Sequence, residues 1–149
     1  MRKTAFLSYT MTTADAGKPG GIVSVGRQFD FLGDVETELM ILNDGDESLC
    51  LGYDEVTFFD DVYVGDHMSY QGTLLKAGNT SRLCRIQAFK LAASAMRLGV
   101  PGAKETDLVW FDEPRLVSEG TVTLVVKKER QRGEQPDGAV KDPWRELGR

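Results

Sequence analysis

Gln28-Phe29-Asp30-Phe31-Leu32-Gly33-Asp34-Val35-Glu36-Thr37-Glu38-Leu39-Met40-Ile41-Leu42 is the stretch whose reading decides the architecture. Leu32, Val35, Leu39 and Leu42 recur at helical spacing, and Phe29, Phe31, Met40 and Ile41 widen the apolar stripe around much of the circumference. A helix that is apolar on most sides is a buried helix. It stops at Asn43-Asp44-Gly45-Asp46-Glu47, where Asn43 or Gly45 takes the left-handed backbone that ends helices.

Such a helix needs a layer to bury it, and its flanks supply strands. Ahead of it, Ala5, Leu7, Tyr9 and Met11 alternate with Thr4, Ser8 and Thr10, the period of a half-buried strand. Behind it, residues 49–58, 66–76, 81–91 and 115–127 are rich in aromatic and β-branched residues or alternate in the same way. Short turns such as Lys76-Ala77-Gly78-Asn79-Thr80 join neighbours, which makes the pairing antiparallel. Residues 92–107, with Gly99, Pro101 and Gly102, read as an irregular excursion. The order of strand, buried helix and then strands is α+β, and the simplest way to bury the helix is to wrap the sheet round it.

The chain has 149 residues, enough for one domain, here residues 1–128. From Glu129 the composition turns polar, so residues 129–149 are expected to form a mobile tail on which Trp144 alone offers a docking group. The formal charge of −5 argues against non-specific binding to nucleic acid or an anionic membrane, both of which need a basic face. No apolar run is long enough for a signal peptide or a membrane span, and the protein reads as cytoplasmic. Cys50 and Cys84 lie in strands and read as buried free thiols, and the lone His67 reads as a surface ladder residue. With so few such residues, a zinc site of the cysteine and histidine type is not expected.

Asp34 and Glu38 stand four apart on the helix and so share a face. Like charges at that spacing repel, and burial sharpens the cost, so such a pair either performs proton chemistry with mutually shifted pKa values or simply forms the wet side of the helix with Glu36. Lys127 ends the last strand, and Gly78-Asn79-Thr80-Ser81-Arg82 offers N–H groups, hydroxyls and a guanidinium. Both suit a phosphate or pyrophosphate, and both are also ordinary solvated features. Asp44-Gly45-Asp46-Glu47 lacks the spacing of a calcium loop, and Gly20, Gly21 and Gly26 lack that of a dinucleotide fingerprint.

Four elements then combine in order: Gly33-Asp34-Val35-Glu36-Thr37-Glu38-Leu39-Met40, Gly52-Tyr53-Asp54-Glu55-Val56-Thr57-Phe58, Val62-Tyr63-Val64-Gly65-Asp66 and Lys76-Ala77-Gly78-Asn79-Thr80-Ser81. Together with Lys127-Lys128 and Gln131-Arg132-Gly133, this pattern resembles the β-aminoacyl-CoA ammonia lyases, the β-alanyl-CoA and 3-aminobutyryl-CoA enzymes of the hotdog fold, from about residue 15 to residue 132. The resemblance implies a long central helix wrapped by an antiparallel β-sheet and reversible loss of ammonia from a β-aminoacyl-CoA to give an enoyl-CoA. It also implies CoA laid across the interface of a homodimer, assembly of three dimers into a hexamer, and no metal or cofactor beyond the CoA of the substrate. On this reading Asp34 and Glu38 divide the roles of base and acid, with Asp34 favoured as base, and Tyr53 orients one of them. N–H groups around Gly20, Gly21 and Ser24 meet the thioester oxygen, while Gly78, Asn79, Ser81, Arg82 and Lys127 position CoA. One departure stands out: the family carries a His-Tyr-x-Gly-Asn run where this chain has Gly17-Lys18-Pro19-Gly20-Gly21. The same pocket would serve a CoA thioesterase or a non-catalytic acyl-CoA-binding hotdog protein.

Overall fold

The computed structural model describes residues 4–17, 21–138 and 140–141. The apolar stripe becomes α1, Val25–Asp44. It starts ahead of the periodic residues because Ser24 caps it, the Ser24 Oγ accepting from the Arg27 N–H at 3.2 Å and so satisfying one of the donors a helix start leaves unpaired. At the other end Gly45 adopts φ 66° and its N–H closes on the Ile41 carbonyl at 2.9 Å. Gly45 is therefore the stop, while Asn43 stays helical and turns its side chain back to the Leu39 carbonyl at 3.0 Å.

The strands are β1 (Thr4–Thr10), β2 (Ile22–Val23), β3 (Leu49–Phe58), β4 (Val62–Tyr63), β5 (His67–Ala77), β6 (Ser81–Ser94) and β7 (Leu108–Val125). Five of them form one antiparallel sheet in the order β1-β5-β6-β7-β3, and β2 pairs with β4 alone. Strand alternation puts Met68, Tyr70, Cys84, Ile86, Val122 and Leu124 on the face that receives Phe31, Leu32, Val35, Leu39 and Met40 of α1. Each such side chain removed from water contributes about 1.5–3 kcal/mol, and together they hold helix to sheet. The helix runs close over β5, where a Cβ on Gly72 would lie 3.4 Å from Leu39 Cδ2. This is the helix wrapped by an antiparallel sheet that the sequence led us to expect.

Three expectations need correction. The irregular excursion is shorter than expected, because Ala92, Ala93 and Ser94 still pair with Trp110, Val109 and Leu108. Pro114 falls where that pairing jumps from Lys90↔Arg115 to Ala92↔Trp110, a position at which a missing N–H breaks no ladder. Second, the described residues just after Lys128 are packed rather than loose. A 3₁₀ turn at Lys128–Arg130 delivers Gln131 and Gln135 into buried positions, the Arg132 N–H reaches the Asp44 carbonyl at 2.9 Å, and β8 (Gly133–Glu134) pairs with β9 (Val140–Lys141). Trp144 lies outside the described residues. Third, Cys84 is buried as expected, but Cys50 is exposed.

Candidate active site

A helix turns about 100° per residue, so Glu36 points roughly 200° away from both Asp34 and Glu38. The core takes Glu36. Asp34 is exposed and accepts a hydrogen bond from the Tyr9 hydroxyl at 3.1 Å, and Glu38 is half-buried. Those two share a face, as expected, but the carboxylate that α1 drives inward is Glu36, 5% exposed. The Tyr53 hydroxyl, expected to orient Asp34 or Glu38, instead donates to Glu36 Oε2 at 3.1 Å, and Oε1 has no partner. Burial pushes the Glu36 carboxyl up to about 7, against which the Tyr53 hydrogen bond acts only in part. Burial first, and the Glu36 charge second, lift the Tyr53 phenol above its ordinary value. The Tyr53 ring packs on Phe29 with centroids 5.0 Å apart, and Phe29 packs on Phe58 at 5.7 Å, which fixes the side of α1 that faces β3.

The start of α1 is anchored by charge. Arg27 meets Asp15 at 2.9 Å and Asp30 at 3.1 Å, and its guanidinium lies 4.6 Å over the Phe31 ring. Burial works against the Asp15 charge, but hydrogen bonds from Thr12 and Arg27 outweigh it and hold that carboxyl below its usual range. Beside this anchor lies a cavity of about 270 Å³, lined by Val23, Val25, Gln28, Phe58, Asp60 and Asp61 among others. Gln28 is 2% exposed; its Oε1 accepts a short hydrogen bond from the Tyr70 hydroxyl, and its Nε2 has no partner. A buried amide left in that state costs about 1–3 kcal/mol.

The residues expected to hold CoA do not gather in one place. Gly21, with φ 74°, leads into α1 at one end of the molecule, and Gly20 lies outside the described residues. Gly78, Asn79 and Ser81 form the turn between β5 and β6 at the other end, where the Gly78 N–H meets the Ser81 carbonyl at 2.8 Å and the Val126 N–H meets that of Thr80 at 2.9 Å, bringing exposed Lys127 alongside. The 20 residues of α1 separate these ends by about 30 Å. Arg82 is not available to a ligand at all. It is 0% exposed, and its five N–H groups are taken by Asp44, Gln135 and the Gly78 and Ser81 carbonyls at 2.9–3.1 Å. Arg82 ties the end of α1, the β5–β6 turn and the C-terminal segment together.

Glu36, Gln28 and the Asp44–Arg82–Gln135 cluster were therefore missed from sequence. A signal existed for two of them: Glu36 stands four from Leu32 and four from Met40, and Arg82 shares the strand parity of Cys84, Ile86 and Ala88. Among the described residues no group of three or more His, Cys, Asp and Glu side chains could hold a metal ion.

No protein-family model matches the chain. It is 37% identical over 128 residues to the 3-aminobutyryl-CoA ammonia lyase of Acetoanaerobium sticklandii, covering 85% of this chain and 96% of that protein. Its fold superposes on the β-alanyl-CoA:ammonia lyase from Clostridium propionicum with a TM-score of 0.79 and 37% identity, over 91% of this chain and 93% of that one. An acyl-CoA hydrolase from Staphylococcus aureus in complex with butyryl coenzyme A and coenzyme A gives a TM-score of 0.62 at 14% identity, over 93% and 67% of the two chains. A hexameric acyl-CoA thioesterase gives 0.62 at 14%, over 93% and 73%. Those last two likenesses concern the fold alone.

Proposed function

The chain belongs to the β-aminoacyl-CoA ammonia lyase family of the hotdog fold, and from that premise we propose that it catalyses reversible elimination of ammonia from a β-aminoacyl-CoA to give the enoyl-CoA. The observation that carries this reading is a 37% identity to each of two ammonia lyases, one matched over 96% of its length and the other over 93%.

A thioester makes its α-proton removable when donors meet the developing enolate oxygen, and on this reading N–H groups from Gly21 to Ser24, at the start of α1, would supply them. On this reading Asp34 takes the α-proton and Glu38 steadies the β-ammonium or returns a proton to the departing amine. Two observations support the pairing: they share one face of α1, and the Tyr9 hydroxyl holds the Asp34 carboxylate. Tyr53 donates its hydrogen bond to Glu36 and so is not held against Asp34 or Glu38. The chemistry asks for no metal and no cofactor other than the CoA of the substrate.

Gly78, Asn79, Ser81 and Lys127 would bind CoA at the far end of α1, about 30 Å from Gly21 along its 20 residues. That separation favours a homodimer with shared sites, in which an antiparallel partner brings one copy's helix end to the other's helix start. The edge strand β3, with Leu49 and Leu51 exposed, is a ready seam for such pairing, and three such dimers would make the hexamer. No described helix is long and apolar enough to cross a membrane. A cytoplasmic setting belongs to the same reading because the substrate is a CoA thioester.

The test is to incubate the protein with crotonyl-CoA or acrylyl-CoA plus ammonium and to follow enoyl absorbance and free thiol together. Loss of enoyl absorbance without thiol is expected. Thiol release would instead make the protein a thioesterase, and neither signal would make it an acyl-CoA binder. Asp34→Asn and Glu38→Gln should each lower the rate by about 100-fold or more, and full activity in both would remove them from the mechanism.

A further inference from the structure

We infer that Gln131 is a positioning residue for CoA: its carboxamide holds the Asn79–Thr80 peptide of the β5–β6 turn with the carbonyl inward, so that the Thr80 N–H faces outward to meet a CoA phosphate. This deepens the proposed function and rests on its reading of that turn as a CoA contact.

A turn that binds an anion must offer N–H groups and keep its carbonyls away from the charge. Here each carbonyl from Gly78 to Ser81 has a donor inside the protein. Arg82 Nη1 donates to Gly78 and Ser81 at 2.9 and 3.0 Å, the Val126 N–H donates to Thr80 at 2.9 Å, and Gln131 Nε2 donates to Asn79 at 2.7 Å. The C=O and N–H of a trans peptide point in opposite directions, so the Asn79 N–H points away from Arg82 and the Thr80 N–H away from Gln131. Neither N–H has a hydrogen-bond partner among the described residues. Asn79, Ser81 and Lys127 are exposed at this turn, and Arg130 pairs with Asp46 at 3.4 Å, which leaves less free acidic charge near Lys127.

Gln131 is the one of these holds that comes from beyond the five-stranded sheet. It is 0% exposed, and its nitrogen also donates to the Val126 carbonyl at 3.1 Å while its Oε1 has no partner. Two carbonyls facing one atom fix the orientation of the amide, because an oxygen in that place would meet two acceptors. Without the donor, the Asn79 carbonyl would be left inside the protein with no hydrogen bond. Rotation of that peptide plane would return the carbonyl to water, turn the Thr80 N–H inward and set a carbonyl against the phosphate. Gln131 therefore decides which end of this peptide a charged ligand meets, and a phosphate takes the N–H end as a charge-assisted hydrogen bond.

The experiment measures CoA binding by calorimetry, and initial rates on β-alanyl-CoA and on β-alanyl-pantetheine, which lacks every phosphate. Met at position 131 keeps the length and removes the donor, while Asn keeps the amide and is too short to reach the Asn79 carbonyl. Gln131→Met and Gln131→Asn should each bind CoA about 10-fold more weakly, as for loss of one hydrogen bond to a charged group. KM on β-alanyl-CoA should rise by the same factor, with kcat and the kcat/KM on β-alanyl-pantetheine both within about twofold of wild type. Gln135→Met removes a buried amide of the same segment whose bonds go to Arg82, Asp44 and Arg132 and not to the turn, so it reports general loosening and should leave CoA affinity within about twofold. Equal weakening by Gln135→Met, a matching loss on the pantetheine substrate, or unchanged CoA binding in both Gln131 variants would each overturn the assignment. Lys127→Met separates the two levels. If it weakens CoA and the Gln131 variants do not, only the role of Gln131 falls; if none of the three weakens CoA, or wild type binds none, the CoA reading of the turn falls with it.

Discussion

Replacing Glu36 by glutamine should stabilise the protein at alkaline pH and leave it nearly unchanged in acid. Glu36 is 5% exposed, one oxygen bonded to the Tyr53 hydroxyl and the other without a partner. The groups that bear on it electrostatically are Tyr53 and Cys50 of β3 and Cys84 of β6, none of them a cation. Its carboxyl moves from 4.5 in the unfolded chain to about 7 when folded. Between those values the folded state binds more protons than the unfolded one, so stability falls as pH rises through the window and is fully lowered above about 7. At 1.36 kcal/mol per pKa unit, the ionised form costs up to about 3 kcal/mol at pH 8 and nothing below pH 4.5. Glutamine has the same shape, keeps an acceptor for Tyr53 and carries no charge to bury. Urea unfolding at pH 5 and pH 8, at one fixed protomer concentration, should therefore find Glu36→Gln more stable than wild type by about 2–3 kcal/mol at pH 8 and by no more than about 1 kcal/mol at pH 5. A variant destabilised equally at both pH values, or a wild type and variant with parallel pH profiles, would refute the burial argument.

Two further predictions concern packing. Arg82→Met leaves the fully buried Asp44 carboxylate without its cation and should lower stability by about 3–5 kcal/mol in chemical denaturation. Gly65→Ala places a Cβ 2.7 Å from that of Ser94 at a backbone φ of 88°, and should cost about 2–3 kcal/mol in the same assay, whereas an unchanged midpoint would mean that the β4–β5 turn relaxes freely.

The helix and the strands were legible because the features that reveal them are local. Leu32, Val35, Leu39 and Leu42 show the helical period within a few turns, and the alternation from Met68 to Leu74 shows a strand without reference to anything distant. The motifs from Gly33 to Ser81 likewise led to the family that the ammonia lyase likenesses confirm. The antiparallel order followed from short turns, and a buried helix beside strands leaves few ways to close a core.

The charged interior was not legible, and Glu36 and Arg82 show why. Periodicity placed both with core neighbours, but their residue types argued for solvent, and nothing within a few positions could settle the conflict. What decides it is a partner brought from far along the chain: Tyr53 for Glu36, and Asp44 with Gln135 for Arg82. The same holds for the segment after Lys128, whose polar composition suggested a free tail until Gln131 and Gln135 found buried partners. The sequence by itself determined the helix, the strands and the family, because backbone period and short motifs are local properties. Only the tertiary structure decided which charges enter the core, because the free energy of burying a charge depends on partners that folding alone brings within hydrogen-bond reach.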